Sequence, residues 1–114
     1  MTKVEIVKSL VLEIKKRFNK KEANTILDLI QTLETQPKKG KLLGTVGGLE
    51  IKELRFKGFR FYFIADGFKL KFFSESELTG LMLRFVRMSD KKHQQETIHE
   101  IKQILIKIGP DGFG

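Results

Sequence analysis

The chain has 114 residues, 40% hydrophobic and 32% charged, with a net charge of +8 and a sequence pI of about 9.8. This is the composition of one globular domain and excludes a disordered chain, while the charge favours an anionic partner: nucleic acid, an acidic membrane surface or an acidic protein. Cysteine is absent, which removes disulfides, thiolate nucleophiles and cysteine zinc sites, and the two histidines, His93 and His99, lie six apart rather than at the four-residue spacing of a helix-borne metal pair.

No metal and no cofactor are therefore expected. No apolar run reaches the length of a membrane span, and Glu5 and Glu13 interrupt the apolar residues of the N-terminal stretch. A cytoplasmic protein without a signal peptide or membrane partner is the expectation.

In chain order, "VEIV" at Val4 alternates like a strand, while Ile6, Leu10, Ile14 and Phe18 recur every fourth residue like one helix face. A short strand running into a helix accommodates both. Asn19 with Glu22 three residues on resembles a capping box, and Ala23, Ile26, Leu27, Ile30 and Leu33 form the apolar stripe of a second helix ended by Pro37. Lys38 to Gly48 holds four glycines and three lysines and reads as a flexible loop; it lacks the Lys-Ser or Lys-Thr pair of a phosphate loop.

From Leu49 the period changes. Leu49 to Phe56, Phe59 to Ala65, Phe68 to Ser74 and Leu81 to Arg87 are rich in aromatic or branched residues, with Lys57-Gly58 and Asp66-Gly67 as turns between the first three. Glu75 to Gly80 is a longer loop. Ile98, Ile101, Leu105 and Ile108 give a closing amphipathic helix, stopped at Gly109-Pro110, with Ser89 or Asp90 as candidate cap. The expected fold is α+β: two N-terminal helices packed on a four-stranded, mostly antiparallel twisted sheet, with a C-terminal helix, in a single domain spanning residues 1–114.

The chemistry concentrates in "KELRFKGFRFYF", Lys52 to Phe63. Alternation puts Phe59, Phe61 and Phe63 on one face, under the helices, and Arg60 and Tyr62 on the other. Glu53 and Arg55 share one face of the preceding strand and Lys52 and Leu54 the other; which pair joins Arg60 depends on register. Arg84 is opposed in parity to Phe85 and Arg87, so the charged positions converge on a sheet surface without an unbroken period. Each also has a structural reading: Arg60 paired with Glu53, Glu53 and Arg55 as a cross-strand pair, and Lys91, Lys92 and His93 as a solvated helix entrance. Tyr62 is a packing residue with its hydroxyl at the rim, and the phenylalanines are core.

The ordered segments "LETQPKKGKLLG", "IKELRFKGFRFYF" and "LMLRFVRMSDKKHQQETIHEIKQIL" resemble the RelE/ParE toxin superfamily, most closely its HigB-like branch, from about Lys8 to Leu105. The most specific part is Glu53-Leu54-Arg55, a short turn, then Phe59-Arg60-Phe61-Tyr62. The resemblance implies a RelE-like toxin of a toxin-antitoxin system: a ribosome-dependent messenger RNA endoribonuclease in which the ribose 2′-OH attacks the adjacent phosphate. It implies Arg60 at the scissile phosphate and Arg87 or the Asp90-Lys91-Lys92-His93 cluster as second cation or acid; Glu53, or Glu50, as base with His93 as acid would complete the mechanism. Lys52, Arg55, Lys57, Arg84, Lys91 and Lys92 would bind RNA. The partners implied are messenger RNA on the ribosome and a cognate antitoxin, an acidic segment folding across the basic face. The sequence departs from the ribonuclease pattern where paired lysines are expected, reading Ile51 and Glu53, and its single tyrosine is Tyr62, not a late one. A non-catalytic ParE-like toxin or a basic nucleic-acid-binding module is the alternative.

Overall fold

The computed structural model describes residues 2–78 and 80–114. Its elements run β1 (Lys3–Ile6), α1 (Lys8–Arg17), α2 (Lys20–Gln31), β2 (Lys41–Val46), β3 (Leu49–Phe56), β4 (Phe59–Asp66), α3 (Gly67–Phe72), β5 (Met82–Asp90) and α4 (Gln94–Lys107), with single 3₁₀ turns after α2 and before β5. The described strands form one sheet ordered β1-β5-β4-β3-β2. β1 lies parallel to β5, and the other three pairings are antiparallel.

The fold is α+β, but the sheet has five strands rather than four, and two segments differ from their sequence patterns. Lys38 to Gly48, expected as a loop, contains β2; its glycines mask the alternation, and Gly44 sits where the register with β3 shifts. Phe68 to Ser74, expected as a strand, instead begins within α3. Asp66-Gly67 is a hairpin signal, but the same aspartate is a good N-cap, and here the Lys69 N–H donates to Asp66 Oδ1 at 3.1 Å. A hypothetical Cβ on Gly67 would stand 2.8 Å from the Gly48 carbonyl oxygen, so only glycine lets the chain turn into α3 here. The first hairpin forms as expected, with Lys57 at φ 48° and Gly58 at φ 83°.

Asn19 caps α2, accepting from the Glu22 N–H at 2.8 Å, while the Glu22 carboxylate reaches across to Lys57 Nζ at 3.5 Å. Phe61, Phe63, Phe85, Leu10, Ile14, Ile26 and Ile30 are buried in one core. Phe18, just past α1, packs edge-on against Phe59 with ring centres 5.0 Å apart, which places the N-terminal helices over the phenylalanine face. α4 covers the opposite face, burying Ile98, Ile101 and Leu105. Helices therefore flank the sheet on both sides, and a strand face that alternation leaves to solvent becomes a second interior. Phe68 and Phe72 depart from the core assignment, at 62% and 63% exposed on α3.

Candidate nucleic-acid interface

Register decides what the charged strand residues meet. Arg55 stands opposite Arg60, Glu53 opposite Tyr62, and Lys52 opposite Phe63. Directly opposed residues share a sheet face, so Glu53, Arg55, Arg60 and Tyr62 lie together under α4, whereas Lys52 lies on the phenylalanine face. A bulge between Tyr62 and Phe63 then brings Arg87 opposite Tyr62 and Arg84 opposite Ile64. The bulge resolves the broken parity in β5: Arg84 and Arg87 share that same face.

Arg60 and Glu53 do not face an open surface. Their side chains are 6% and 0% exposed, with Arg60 Nε 3.8 Å from Glu53 Oε2. That separation permits Coulombic attraction but not a hydrogen bond, and both atoms lack a hydrogen-bond partner. Arg60 Nη1 donates to the Gly58 carbonyl at 2.9 Å, tying the buried pair to the hairpin turn. Arg55 Nη2 approaches Glu53 Oε1 at 3.2 Å, and its guanidinium emerges 52% exposed at the rim. Beside them Tyr62 is fully buried rather than at the rim, its oxygen 2.6 Å from Ser89 Oγ. Ser89 Oγ donates to the Asp90 carbonyl at 2.9 Å, so its single proton is committed and the tyrosine hydroxyl is the donor. Burial raises the Tyr62 pKa, and the bond with Ser89 acts against that shift.

Arg87 is also engaged. Its Nε lies 2.6 Å from Glu100 Oε1 on α4, and its guanidinium sits 5.1 Å from the Phe113 ring centre. Arg84, at the far end of the strand, is clamped by Asp111 at 2.9 Å, Glu5 at 3.3 Å and the Pro110 carbonyl at 2.8 Å. The Asp111 hydrogen bond is the largest contribution raising its pKa. Lys52 is buried, and its Nζ donates to the Lys38 carbonyl at 3.1 Å.

The remaining predicted residues gather at the hairpin end of the sheet. Phe59, next to the turn, pairs with Asp90 at the end of β5. Exposed Lys91, Lys92 and His93 follow Asp90. Arg17 lies 5.7 Å from the Phe59 ring centre, and Lys57 and Arg55 project from the hairpin itself. Segments far apart in sequence thus place Arg17, Arg55, Lys57, Lys91 and Lys92 around one end of the molecule.

His93 stands within this group, more than half exposed, with Nδ1 2.7 Å from Asp90 Oδ1. The same oxygen accepts the His93 backbone N–H at 2.9 Å. These two bonds, side chain first, hold the Asp90 pKa below its ordinary value. With Nδ1–H donated to the carboxylate, Nε2 is the ring nitrogen turned to solvent and available for proton transfer. Asp90 is thus more than a cap candidate. The Asp-x-x-His spacing is the signal that could have found this pair, since a helix entrance brings residues three apart together.

The sequence-derived set therefore divides. Arg55, Lys57, Lys91, Lys92 and His93 share the hairpin end; Glu53 and Arg60 are buried beneath it; Arg87 and Arg84 are bound to α4 and the C-terminal segment; Lys52 is on the other face. Among the described residues no group of three His, Cys, Asp or Glu side chains is placed to hold a metal, and no helix is long and apolar enough to cross a membrane. Comparison with protein-family models, with curated proteins and with solved structures finds no significant match in any of the three.

Proposed function

We propose that the chain is a RelE-like toxin domain that binds messenger RNA on the ribosome at its hairpin end and cleaves it there. The observation carrying this reading is the exposed His93–Asp90 pair, 2.7 Å apart, at the same end of the sheet as the cations of α1, the β3–β4 hairpin and the segment after β5. The order of Glu53-Leu54-Arg55 and Phe59-Arg60-Phe61-Tyr62 on adjacent strands supports the same reading.

In the reaction the ribose 2′-oxygen attacks phosphorus, the bond to the 5′-oxygen breaks, and a 2′,3′-cyclic phosphate forms. Arg55, Lys57, Lys91 and Lys92 hold the phosphates and offset the developing charge. Protonated His93 gives its Nε2 proton to the departing 5′-oxygen, and the 2′-OH proton passes to water. Glu53 is not the base in this scheme, because a fully buried carboxylate beneath two arginines does not reach a ribose. Arg60 and Glu53 act as positioning residues, fixing the hairpin that carries Arg55 and Lys57.

A second reading has its own support. With Glu53 and Arg60 sealed in their pair, no carboxylate of the proposed set is open to solvent to act as the base, which favours a non-catalytic toxin of the ParE kind. Incubation of the purified protein with translating ribosomes, mapping new messenger ends and cyclic phosphates, separates the two. Cleavage that His93→Ala lowers by about 10²- to 10⁴-fold supports the ribonuclease. Growth inhibition without cleavage supports the second reading, and salt-sensitive nucleic-acid binding without toxicity leaves only a binding module.

A further inference from the structure

We propose that the groove between β2 and α3 is a second ligand site, taking a nucleotide whose base carries an exocyclic amino group. It lies on the phenylalanine face at the far end of β3 and β4 from the hairpin, and does not depend on the cleavage reading. The groove has a volume of about 640 Å³, lined by Lys38, Glu50, Lys52, Phe68 and Lys71, with Leu42 closing one side.

Four features specify the ligand. Lys52 as a residue is 6% exposed, and its ammonium has three donors, of which one goes to the Lys38 carbonyl; the centre of the Phe63 ring lies 5.7 Å from its Nζ. No carboxylate lies within 4 Å of its Nζ among the described residues; burial lowers its pKa, and the charge of Glu50 opposes that shift less strongly. A buried cation compensated only at a distance is costly to keep, and an anion entering the groove relieves that cost. Lys38 and Lys71 add charge of the same sign, which a phosphate matches.

Phe68 touches Phe72 and Phe73, with ring centres 4.9 and 6.1 Å away, yet stays 62% exposed where it lines the groove, and that exposed part of the ring is a surface on which a base stacks. Glu50 lies among these cations and accepts hydrogen bonds only, so it repels phosphate and selects a donor such as the amino group of adenine, cytosine or guanine. The opening is kept by Gly67, where a Cβ would stand 2.9 Å from Glu50 Cγ and push the carboxylate aside. Aromatic wall, acceptor and cations together match a nucleotide better than a simple anion or an apolar molecule.

The site is tested by amide chemical-shift titration of the full chain with AMP, CMP, UMP, inorganic phosphate and a short single-stranded RNA. AMP and CMP shift Gly48, Phe68 and Lys71, and UMP binds about tenfold more weakly because uracil offers Glu50 only an N3–H set between two carbonyl oxygens that repel the carboxylate. Phe68→Ala, an exposed position, weakens AMP about tenfold or more while the rest of the spectrum stays folded. Glu50→Gln removes the preference for AMP over UMP, and His93→Ala changes nothing here, which separates this site from the cleavage site. Competition between the RNA and AMP for the same shifts identifies the source as a strand; AMP shifts that RNA does not displace identify a free nucleotide. Phosphate producing the AMP shifts at the same concentration, an unchanged affinity in Phe68→Ala, or no shifts at millimolar nucleotide and RNA would each overturn the proposal.

Discussion

Arg60 and Glu53 sit diagonally across β3 and β4 as a buried pair, Nε to Oε2 3.8 Å, and neither atom has a hydrogen bond to soften its burial. The Glu53 carboxylate is compensated by both Arg60 and Arg55, and Arg60 by Glu53. Arg60→Ala therefore leaves a carboxylate inside the protein beside one half-exposed guanidinium, and the expected cost is about 3–5 kcal/mol by urea denaturation. The double substitution Glu53→Leu with Arg60→Met recovers most of that loss, because no buried charge remains. Arg55→Ala costs less than Arg60→Ala, about 1–3 kcal/mol, because it removes the hydrogen bond that Oε1 of the buried Glu53 carboxylate accepts. Activity lost in Arg60→Ala but retained in the double variant identifies the arginine as structural; loss in both variants despite intact folding would contradict the positioning role.

Tyr62 makes stability depend on alkaline pH. Its folded pKa lies above the ordinary 10.0 because the ring is buried. The unfolded chain therefore releases the phenolic proton first, and between the two values the folded state holds more protons. Its contribution is complete below pH 10 and is lost as pH rises through the folded pKa. Tyr62→Phe removes one hydrogen bond, about 1 kcal/mol at neutral pH, since Ser89 retains its bond to the Asp90 carbonyl. Denaturation curves from pH 9 upward are expected to fall less steeply for the variant; parallel curves would remove Tyr62 as the cause.

His93 and Asp90 are expected to separate activity from stability. His93 is exposed and outside the core, so His93→Ala changes stability by no more than about 0.5 kcal/mol. Asp90→Asn retains an oxygen that can accept the backbone N–H but loses the charge facing the ring. Cleavage in Asp90→Asn falls less than in His93→Ala, because the imidazole loses the carboxylate that orients it but keeps its own proton to give. Equal losses in the two variants count against an acid-base role for the ring.

Much of this arrangement is legible in local sequence. Asn19 announces its cap, the first hairpin turns where Lys57-Gly58 sits, and the stripe of Ile98, Ile101 and Leu105 finds the helix it makes. The failures have identifiable causes. β2 is hidden by glycines that carry no side-chain period, and Asp66-Gly67 encodes two local structures between which alternation does not choose. Burial of Arg60 depends on α4 crossing the sheet more than thirty residues later, and the common face of Arg84 and Arg87 depends on a bulge set by pairing. Local pattern carries element type; register and the covering helix decide which charges remain outside.

Gly40 gives the last test, because it links the β2 entry to the core. Its φ is +105°, and a Cβ there would lie 2.8 Å from the Phe63 ring and 3.2 Å from the Glu53 carbonyl. Gly58 has a comparable φ of +83° but nothing within 4 Å of such an atom. Gly58→Ala should therefore cost about 1–2 kcal/mol for backbone strain alone. Gly40→Ala adds the clash with a fully buried ring that has no room to move, and an extra cost of about 1–3 kcal/mol is expected from overpacking. The Gly40 change also displaces the neighbouring turn, whose Lys38 carbonyl accepts from Lys52. Urea denaturation of both variants, read with the amide shift of Lys52, checks this: equal losses, or an unmoved Lys52 signal in Gly40→Ala, would show that the turn yields without disturbing the groove.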